Sequence, residues 1–341
     1  MAEAKQKKIA YIAQAQLIGC LLVILGHSIP LNWNVPVAVY VADKFLYTFH
    51  MPLFFFVSGY LFYKTKSEQR YTFGAYVKKR TYRLMLPYVS LTVVGLALKQ
   101  LLSLLRHEDF LLTPMYILKA FFVPRQNVWG HFWFLPTLLL ISFLSFAFAK
   151  LKNKSITAFT VLSVLLFVLP PFGEVTDWFA VNDILKYTCF YALGLLFADS
   201  KAERFFITGK KIKYIFLLLF PLAVSLFFWL QTKNNQLKTV KHEIIGIMMV
   251  MFVLALAQCF DITKTKAGKF LCNKTYSIFI LSWPIQSVVS IVFEKAMGLP
   301  YYITMPIAFA AGIIGPIIVI LIVDWIEKKI GKRILSPIIG G

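Results

Sequence analysis

Residues 17–30 read LIGCLLVILGHSIP, an apolar stretch that carries one ionisable side chain, His27, near its C-terminal end. A stretch of this hydropathy predicts a helix that crosses a bilayer. An imidazole at membrane depth costs free energy, so ionisable residues in such helices usually mark a functional site. We therefore take His27 as the first candidate functional residue.

The composition of the whole chain is that of an integral membrane protein. Of 341 residues, 59% are hydrophobic and 15% are charged. The net charge of +21 would suggest nucleic-acid binding in a soluble protein, but the basic residues lie in short tracts between apolar runs. These tracts are typical of topology signals. The four cysteines lack the spacing of a metal site and are expected to be free thiols.

Apolar windows of about 20 residues predict an all-α polytopic membrane protein with about ten transmembrane helices. With both termini inside, 26 of the 36 lysine and arginine residues lie in inner segments, as the positive-inside rule requires. We expect one membrane domain over residues 1–341, with no fused soluble domain. The predicted spans lie near residues 11–29, 45–63, 84–105, 132–149, 156–171, 184–199, 214–231, 244–260, 276–293 and 303–324.

This topology puts three of the five histidines at one depth on the outer side. His27, His50 and His131 lie near the outer ends of spans one, two and four, whereas His107 and His242 fall in outer loops, where a solvated role is expected. A neutral imidazole can accept the proton of a hydroxyl, which suits a general base. Three histidines can also bind a metal, but no two of them have the i, i+4 spacing of paired ligands, which makes a metal site the weaker alternative.

Two further stretches surround these histidines with polar and aromatic residues. Asp43 precedes His50 by seven residues, so in one continuous helix the two would share a face and the acid would orient the imidazole. Residues 129–136, WGHFWFLP, place His131 between Trp129 and Trp133. These tryptophans suit either the interfacial belt or an aromatic-walled sugar site.

Two other segments carry polar residues at membrane ends or within a span. Residues 78–88, KKRTYRLMLPY, place Arg80 and Arg83 three residues apart at the inner surface, where they would bind phosphate groups or anionic lipid. Residues 275–286, TYSIFILSWPIQ, put Ser282 and Trp283 inside an otherwise apolar span.

The succession of these motifs resembles the acyltransferase-3 family of integral-membrane acyltransferases. LGHS, FHMPLFFFVSGYLF, KKRTYRLMLPY, HFWFLP and YSIFILSWP occur in the family's order along nearly the whole chain. The resemblance implies a ten-helix domain of the bacterial cytoplasmic membrane that moves an acyl group, usually acetyl from acetyl-CoA, to a hydroxyl of a cell-envelope glycan. It implies that His27 is the essential histidine and that Arg80 and Arg83 contact the acyl donor.

The chain departs from the family pattern at three positions. A basic residue usually stands eleven positions before the histidine and an acid three before that, but this chain carries Gln16 and Ala13 there. Any donor contact made there by a charge would be replaced by an amide hydrogen bond from Gln16, or by Arg80 and Arg83. Trp283 stands where many relatives carry a histidine in the ninth helix.

From the residues and the resemblance together we expect a membrane-bound O-acyltransferase. Its donor would be acetyl-CoA, its acceptor a cell-envelope glycan or glycolipid, and its other partners the lipid bilayer and polysaccharide-assembly proteins, with neither metal nor nucleic acid. His27 would act as general base or transient acyl carrier, with His50 and His131 assisting. A transporter or flippase for a lipid-linked glycan is the alternative. The residues expected to line the acceptor site are Asp43, Trp129, Trp133, Ser282 and Trp283.

Overall fold

The structure, a computed structural model, describes residues 2–29, 35–105, 112–150, 155–168, 176–209, 211–232 and 238–341. His107 lies outside the described residues, as do the side chain of His242 and residues 169–171 at the end of the fifth predicted span.

The described residues form α-helices, short 3-10 helices and one π-helical segment, and they contain no β-strand. The prediction of an all-α chain is therefore confirmed. The α-helices are α1 Ala2–Ser28, α2 Val37–Tyr47, α3 His50–Lys64, α4 Ser67–Arg70, α5 Phe73–Leu105, α6 Pro114–Phe122, α7 Phe134–Lys150, α8 Ser155–Val168, α9 Val181–Asp199, α10 Lys201–Thr208, α11 Ile212–Leu217, α12 Leu219–Thr232, α13 Lys238–Leu256, α14 Lys266–Val289 and α15 Tyr301–Ile330. The 3-10 helices are Pro124–Gln126, Gly130–Trp133, Trp178–Ala180, Ile262–Lys264 and Ser336–Ile339, and the π-helical segment is Ser290–Ala296.

Several of these helices are built to cross a membrane. Within the described ranges, seven helical segments are long and apolar enough to span a bilayer, and two shorter apolar helices, Ile156–Leu165 and Glu243–Leu256, accompany them. The chain is thus a polytopic membrane protein. Each predicted span overlaps a helix, including 184–199 within α9, while the total of ten and the orientation stay predictions.

The chain divides into two compact units. The first comprises Met1–Lys64 and Phe190–Ile317, and the second comprises Thr65–Cys189 and Ile318–Gly341.

The first unit is organised around α1. Its neighbour α14 runs parallel to it, because Gln14 binds the chain at Ile262, just before α14, while Ile24 binds Gln286 near the end of α14. Helix α3 runs antiparallel to α1, since Tyr11 donates a hydrogen bond to Tyr60 at one end and Gly19 faces Leu53 nearer the other.

Two glycines allow backbones to touch in the first unit. A Cβ built on Gly59 of α3 would lie 2.0 Å from the carbonyl oxygen of Tyr191, and one on Gly194 of α9 would lie 2.0 Å from that of Phe56. At these distances the glycine hydrogen fits at both positions, but a methyl group does not. Small residues of this kind let membrane helices approach closely enough for dispersion contacts to stabilise the pair.

The second unit joins α5 to α7 and to the segment around α6. Tyr76 of α5 stacks on Phe146 of α7 with ring centroids 4.5 Å apart. The Tyr88 hydroxyl donates to the carbonyl oxygens of Ala120 and Phe121, at 3.2 and 3.0 Å, at the end of α6. These contacts hold the segment that leads to Gly130–Trp133 against α5.

We expect Gly59→Ala to destabilise the protein by about 1–3 kcal/mol, because the added methyl group forces α3 away from α9. The measurement is the thermal unfolding midpoint of the purified protein in detergent. Gly74→Ala is the matched control and should not lower the midpoint, because beyond its chain neighbours and its own helix backbone no atom lies within 4 Å of the added Cβ. Equal midpoints for Gly59→Ala and Gly74→Ala would contradict the close approach.

Candidate functional site

The parallel packing of α1 and α14 places His27 against Trp283. The two ring centroids are 4.1 Å apart, with an interplanar angle of 59°. His27 is half-buried, on the last turn of α1. An aromatic wall on one side therefore limits the directions in which the imidazole can meet another molecule.

Tyr47, the last residue of α2, lies on another side of the His27 ring. Its hydroxyl oxygen is 3.3 Å from His27 Nδ1, and the two rings meet edge to face with centroids 6.0 Å apart. Gly26 faces the same ring, and a Cβ there would lie 3.4 Å from the Tyr47 ring, an ordinary van der Waals distance. Tyr47 is a functional candidate that the motif analysis did not single out, although it opens the stretch YTFHMPLFFF.

His50 packs on the same tyrosine. The centroids of the Tyr47 and His50 rings are 4.8 Å apart at 82°, and His50 is buried. His50 Nδ1 lies 2.7 Å from the Leu46 carbonyl oxygen, so this nitrogen carries the proton and donates it. Tyr47 thus contacts both His27 and His50, which the sequence placed at a common depth.

Asp43 and His50 belong to different helices. The backbone tightens at Thr48 and Phe49, whose N–H groups bond to carbonyls three residues back at 3.1 and 3.2 Å, and α3 begins at His50. Asp43 Oδ1 lies 3.9 Å from the position of a Cβ on Gly26. The structure therefore brings Asp43 close to the end of α1, while its role toward His50 stays a prediction.

Two further predicted site residues, Ser282 and Gln16, lie on α14 and α1. Ser282 is buried, and its hydroxyl donates to the Phe279 carbonyl oxygen at 2.9 Å within α14. Gln16 is half-buried on α1. At that level of the helix it is Gln14 that binds its neighbours, donating to Ala257 O at 2.8 Å and accepting from the Ile262 N–H at 2.7 Å.

Arg80 and Arg83 lie on α5 in the second unit. The Arg80 guanidinium donates to Ser142 Oγ of α7 at 3.1 Å, whereas the Arg83 side chain is exposed. Arg80 Nε and Ser145 Oγ are buried and have no hydrogen-bond partner among the described residues. Arg80 therefore turns toward α7, and two buried polar atoms there retain capacity for a further hydrogen bond.

His131 and its two tryptophans also belong to the second unit. His131 is buried in the 3-10 helix Gly130–Trp133 and packs on Phe132 with centroids 4.7 Å apart. The Trp129 indole N–H donates to the Leu91 carbonyl oxygen at 2.7 Å. Trp133 packs on Tyr187 with centroids 5.1 Å apart.

Arg125 and Asp183 form an ion pair beside Trp133. The Arg125 guanidinium lies 4.3 Å from the centre of the Trp133 ring, and its Nε donates to both Asp183 carboxylate oxygens, at 3.1 and 3.0 Å. Burial raises the pKa of the Asp183 carboxyl, and Arg125 opposes that shift. The pair joins the start of α9 to the segment before Gly130–Trp133. Within the described ranges, no three histidine, cysteine, aspartate or glutamate side chains are grouped as a metal site.

Comparison with known proteins identifies the family of the chain. The profile of the acyltransferase-3 family, described as an acyltransferase domain, matches residues 9–325. The nodulation protein NolL of Mesorhizobium japonicum is 28% identical to the chain over 216 residues, which cover 61% of this chain and 52% of NolL. The matched region thus spans about half the length of that relative. No solved structure matches the chain significantly.

The family match covers nearly the whole chain, including the helices that carry His27, His50, Arg80 and His131. The chain therefore belongs to the acyltransferase-3 family of acyltransferases, and it is a polytopic membrane transferase.

Proposed function

We propose that the protein transfers an acetyl group from acetyl-CoA to a hydroxyl of a cell-envelope glycan or glycolipid, in the bacterial inner membrane. Family membership supports acyl transfer in general. The acetyl donor, the glycan acceptor and the membrane come from the sequence motifs and are part of the proposal. The observation that carries it is the Tyr47 hydroxyl 3.3 Å from Nδ1 of His27.

This contact suits a general base. When Nδ1–H of a neutral His27 donates to the Tyr47 hydroxyl oxygen, the lone pair of the imidazole resides on Nε2. Tyr47 then holds both the tautomer and the ring orientation that proton abstraction needs. The Trp283 ring, 4.1 Å from the imidazole, limits its rotation further.

The proposed reaction follows from that tautomer. Nε2 of His27 takes the proton of the acceptor hydroxyl while the hydroxyl oxygen forms a bond to the thioester carbonyl carbon. The resulting oxyanion collapses, the carbon–sulfur bond breaks, and the CoA thiolate takes the proton from His27. The products are an acetyl ester and CoA. If His27 instead attacks the thioester itself, an acyl-histidine forms first and CoA leaves before the acceptor reacts.

The remaining predicted residues assist in this proposal. His50 and His131 orient the acceptor or stabilise the oxyanion. Asp43, Ser282 and Trp283 of the first unit and, separately, Trp129 and Trp133 of the second unit stay predicted acceptor-binding residues.

For the donor, we propose that Arg80 and Arg83 bind the CoA phosphates, with Gln16 adding an amide contact. Arg80 Nε and the Ser145 hydroxyl have no hydrogen-bond partner among the described residues. They support this proposal, because a phosphate can accept hydrogen bonds from both. The exposed Arg83 guanidinium adds a second positive charge three residues along α5.

We expect His27→Ala to lower the rate of acetyl transfer by about 10²–10⁴-fold, the usual contribution of a general base. The assay reconstitutes the protein in liposomes and follows CoA release from acetyl-CoA in the presence of a panel of methyl glycosides. An unchanged thermal midpoint shows that the variant is folded. Glycolipid movement across the bilayer without acetyl-CoA would favour a transporter and contradict the proposal.

Tyr47→Phe should lower kcat by about tenfold, the effect of losing one hydrogen bond of about 1.4 kcal/mol, with little change in the KM for acetyl-CoA. Tyr40→Phe, which removes a hydroxyl from an exposed residue of the same helix, is the control and should behave as wild type. A wild-type kcat for Tyr47→Phe would show that the tyrosine does not position His27.

The double variant Arg80→Ala/Arg83→Ala should raise the KM for acetyl-CoA about ten- to hundredfold, because hydrogen bonds to charged groups contribute about 1.5–3 kcal/mol. Lys78→Ala removes an exposed charge from the same segment. Because an exposed charge by itself contributes little, this variant should keep the KM within about twofold of wild type. Equal KM values in all three proteins would indicate that the arginines contact lipid.

A further inference from the structure

Gln286 is a primary amide in the middle of an apolar environment. It lies on α14, three residues after Trp283, and its side chain is fully buried. Its Nε2 lies 2.8 Å from the Ile24 carbonyl oxygen, 2.8 Å from Ser28 Oγ and 3.3 Å from the Ala308 carbonyl oxygen. One end of the amide therefore binds both α1 and α15.

These partners determine which end of the amide is nitrogen. Ser28 donates its own hydroxyl proton to the Ile24 carbonyl oxygen at 2.6 Å, so Ser28 Oγ offers lone pairs to Gln286. All three partners are then acceptors, and a reversed amide would place Oε1 against three oxygen atoms. Nε2 consequently occupies this position.

The other end of the amide is unsatisfied. Gln286 Oε1 is buried and has no hydrogen-bond partner among the described residues. A carbonyl oxygen without a partner is costly in a membrane interior, where few other donors are available. The side chain is nevertheless closely fitted, because a Cβ on Gly312 of α15 would lie 2.8 Å from Gln286 Cδ and 2.7 Å from Ile24 Cγ2.

The unsatisfied oxygen belongs to the same group of helices as His27. Trp283, about one helical turn (roughly 5 Å) before Gln286, contacts the His27 ring. Ser28, which binds the Gln286 amide, directly follows His27 in α1. The face of α14 formed by Trp283 and Gln286 thus packs on the end of α1 that presents the proposed base.

The number of protons on the acceptor limits which of its groups can donate a hydrogen bond to Oε1. A hydroxyl has one proton, and in the proposed reaction the reacting hydroxyl gives it to His27. If Oε1 binds the acceptor molecule, its hydrogen bond must therefore come from a different donor on that molecule. Sugars carry such a donor as the hydroxyl on the adjacent ring carbon.

We propose that Gln286 Oε1 accepts a hydrogen bond from a second hydroxyl of the acceptor, next to the hydroxyl that His27 deprotonates. The inference rests on the proposed function and deepens it. Gln286 is then a specificity-determining residue that selects a vicinal diol. The Nε2 contacts to α1 and α15 hold the amide in the required orientation.

The test compares a methyl glycoside with the derivative that lacks one hydroxyl next to the acetylated position. Wild-type protein in liposomes should acetylate the complete glycoside with at least about tenfold higher kcat/KM, since a site built around a hydrogen bond discriminates against its absence. Gln286→Leu should lower kcat/KM for the complete glycoside by a similar factor. It should also remove the discrimination between the two acceptors, and leave the KM for acetyl-CoA unchanged.

Ser28→Ala is the matched control, because it removes one partner of Nε2 and keeps Oε1. It should retain the discrimination even if its thermal midpoint falls. Equal use of both acceptors by wild type, or discrimination that persists in Gln286→Leu, would show that the amide only joins helices or holds a buried water. If the wild type acetylates no glycoside at all, the proposed function fails and the inference falls with it.

Discussion

Two glutamine amides hold α1 in register with α14, and the position of His27 depends on them. Lipid offers no hydrogen-bond partners, so a polar side chain within a membrane helix must bind inside the protein. Gln14 binds the backbone of Ala257 and Ile262 at one end of the pair. Gln286 binds Ile24 at the other end. Sliding α1 along α14 would break both sets of contacts, which fixes the imidazole beside Trp283.

The departure from the family pattern lies in the middle of α1, at the level where Gln14 holds this register. A charge expected at position 16 is replaced by Gln16, and the nearby Gln14 is committed to the backbone between α13 and α14. In the proposed mechanism, electrostatic recognition of the donor therefore falls on Arg80 and Arg83. The buried Arg80 Nε and Ser145 hydroxyl give that region the hydrogen-bonding capacity that Gln14 lacks.

Much of the fold was predictable because a bilayer restricts spanning segments to apolar helices. Each predicted span overlaps a helix, yet seven segments meet the length and hydropathy of a span by themselves. Helix α9 carries Asp183 and Lys186 near its start, and these charges reduce its apolar character. The break at Thr48 and Phe49 had no clear signal either, because both residues are compatible with a continuous helix.

The sequence by itself determined the all-α membrane class, the family and the candidate histidines, because hydropathy and motif order are local properties of the chain. Only the tertiary structure decided which side chains meet. It placed Tyr47 between His27 and His50, and it left one oxygen of Gln286 unsatisfied. Such contacts join residues far apart in sequence, and they depend on helix register and on the glycine at position 312, whose neighbours no local pattern specifies.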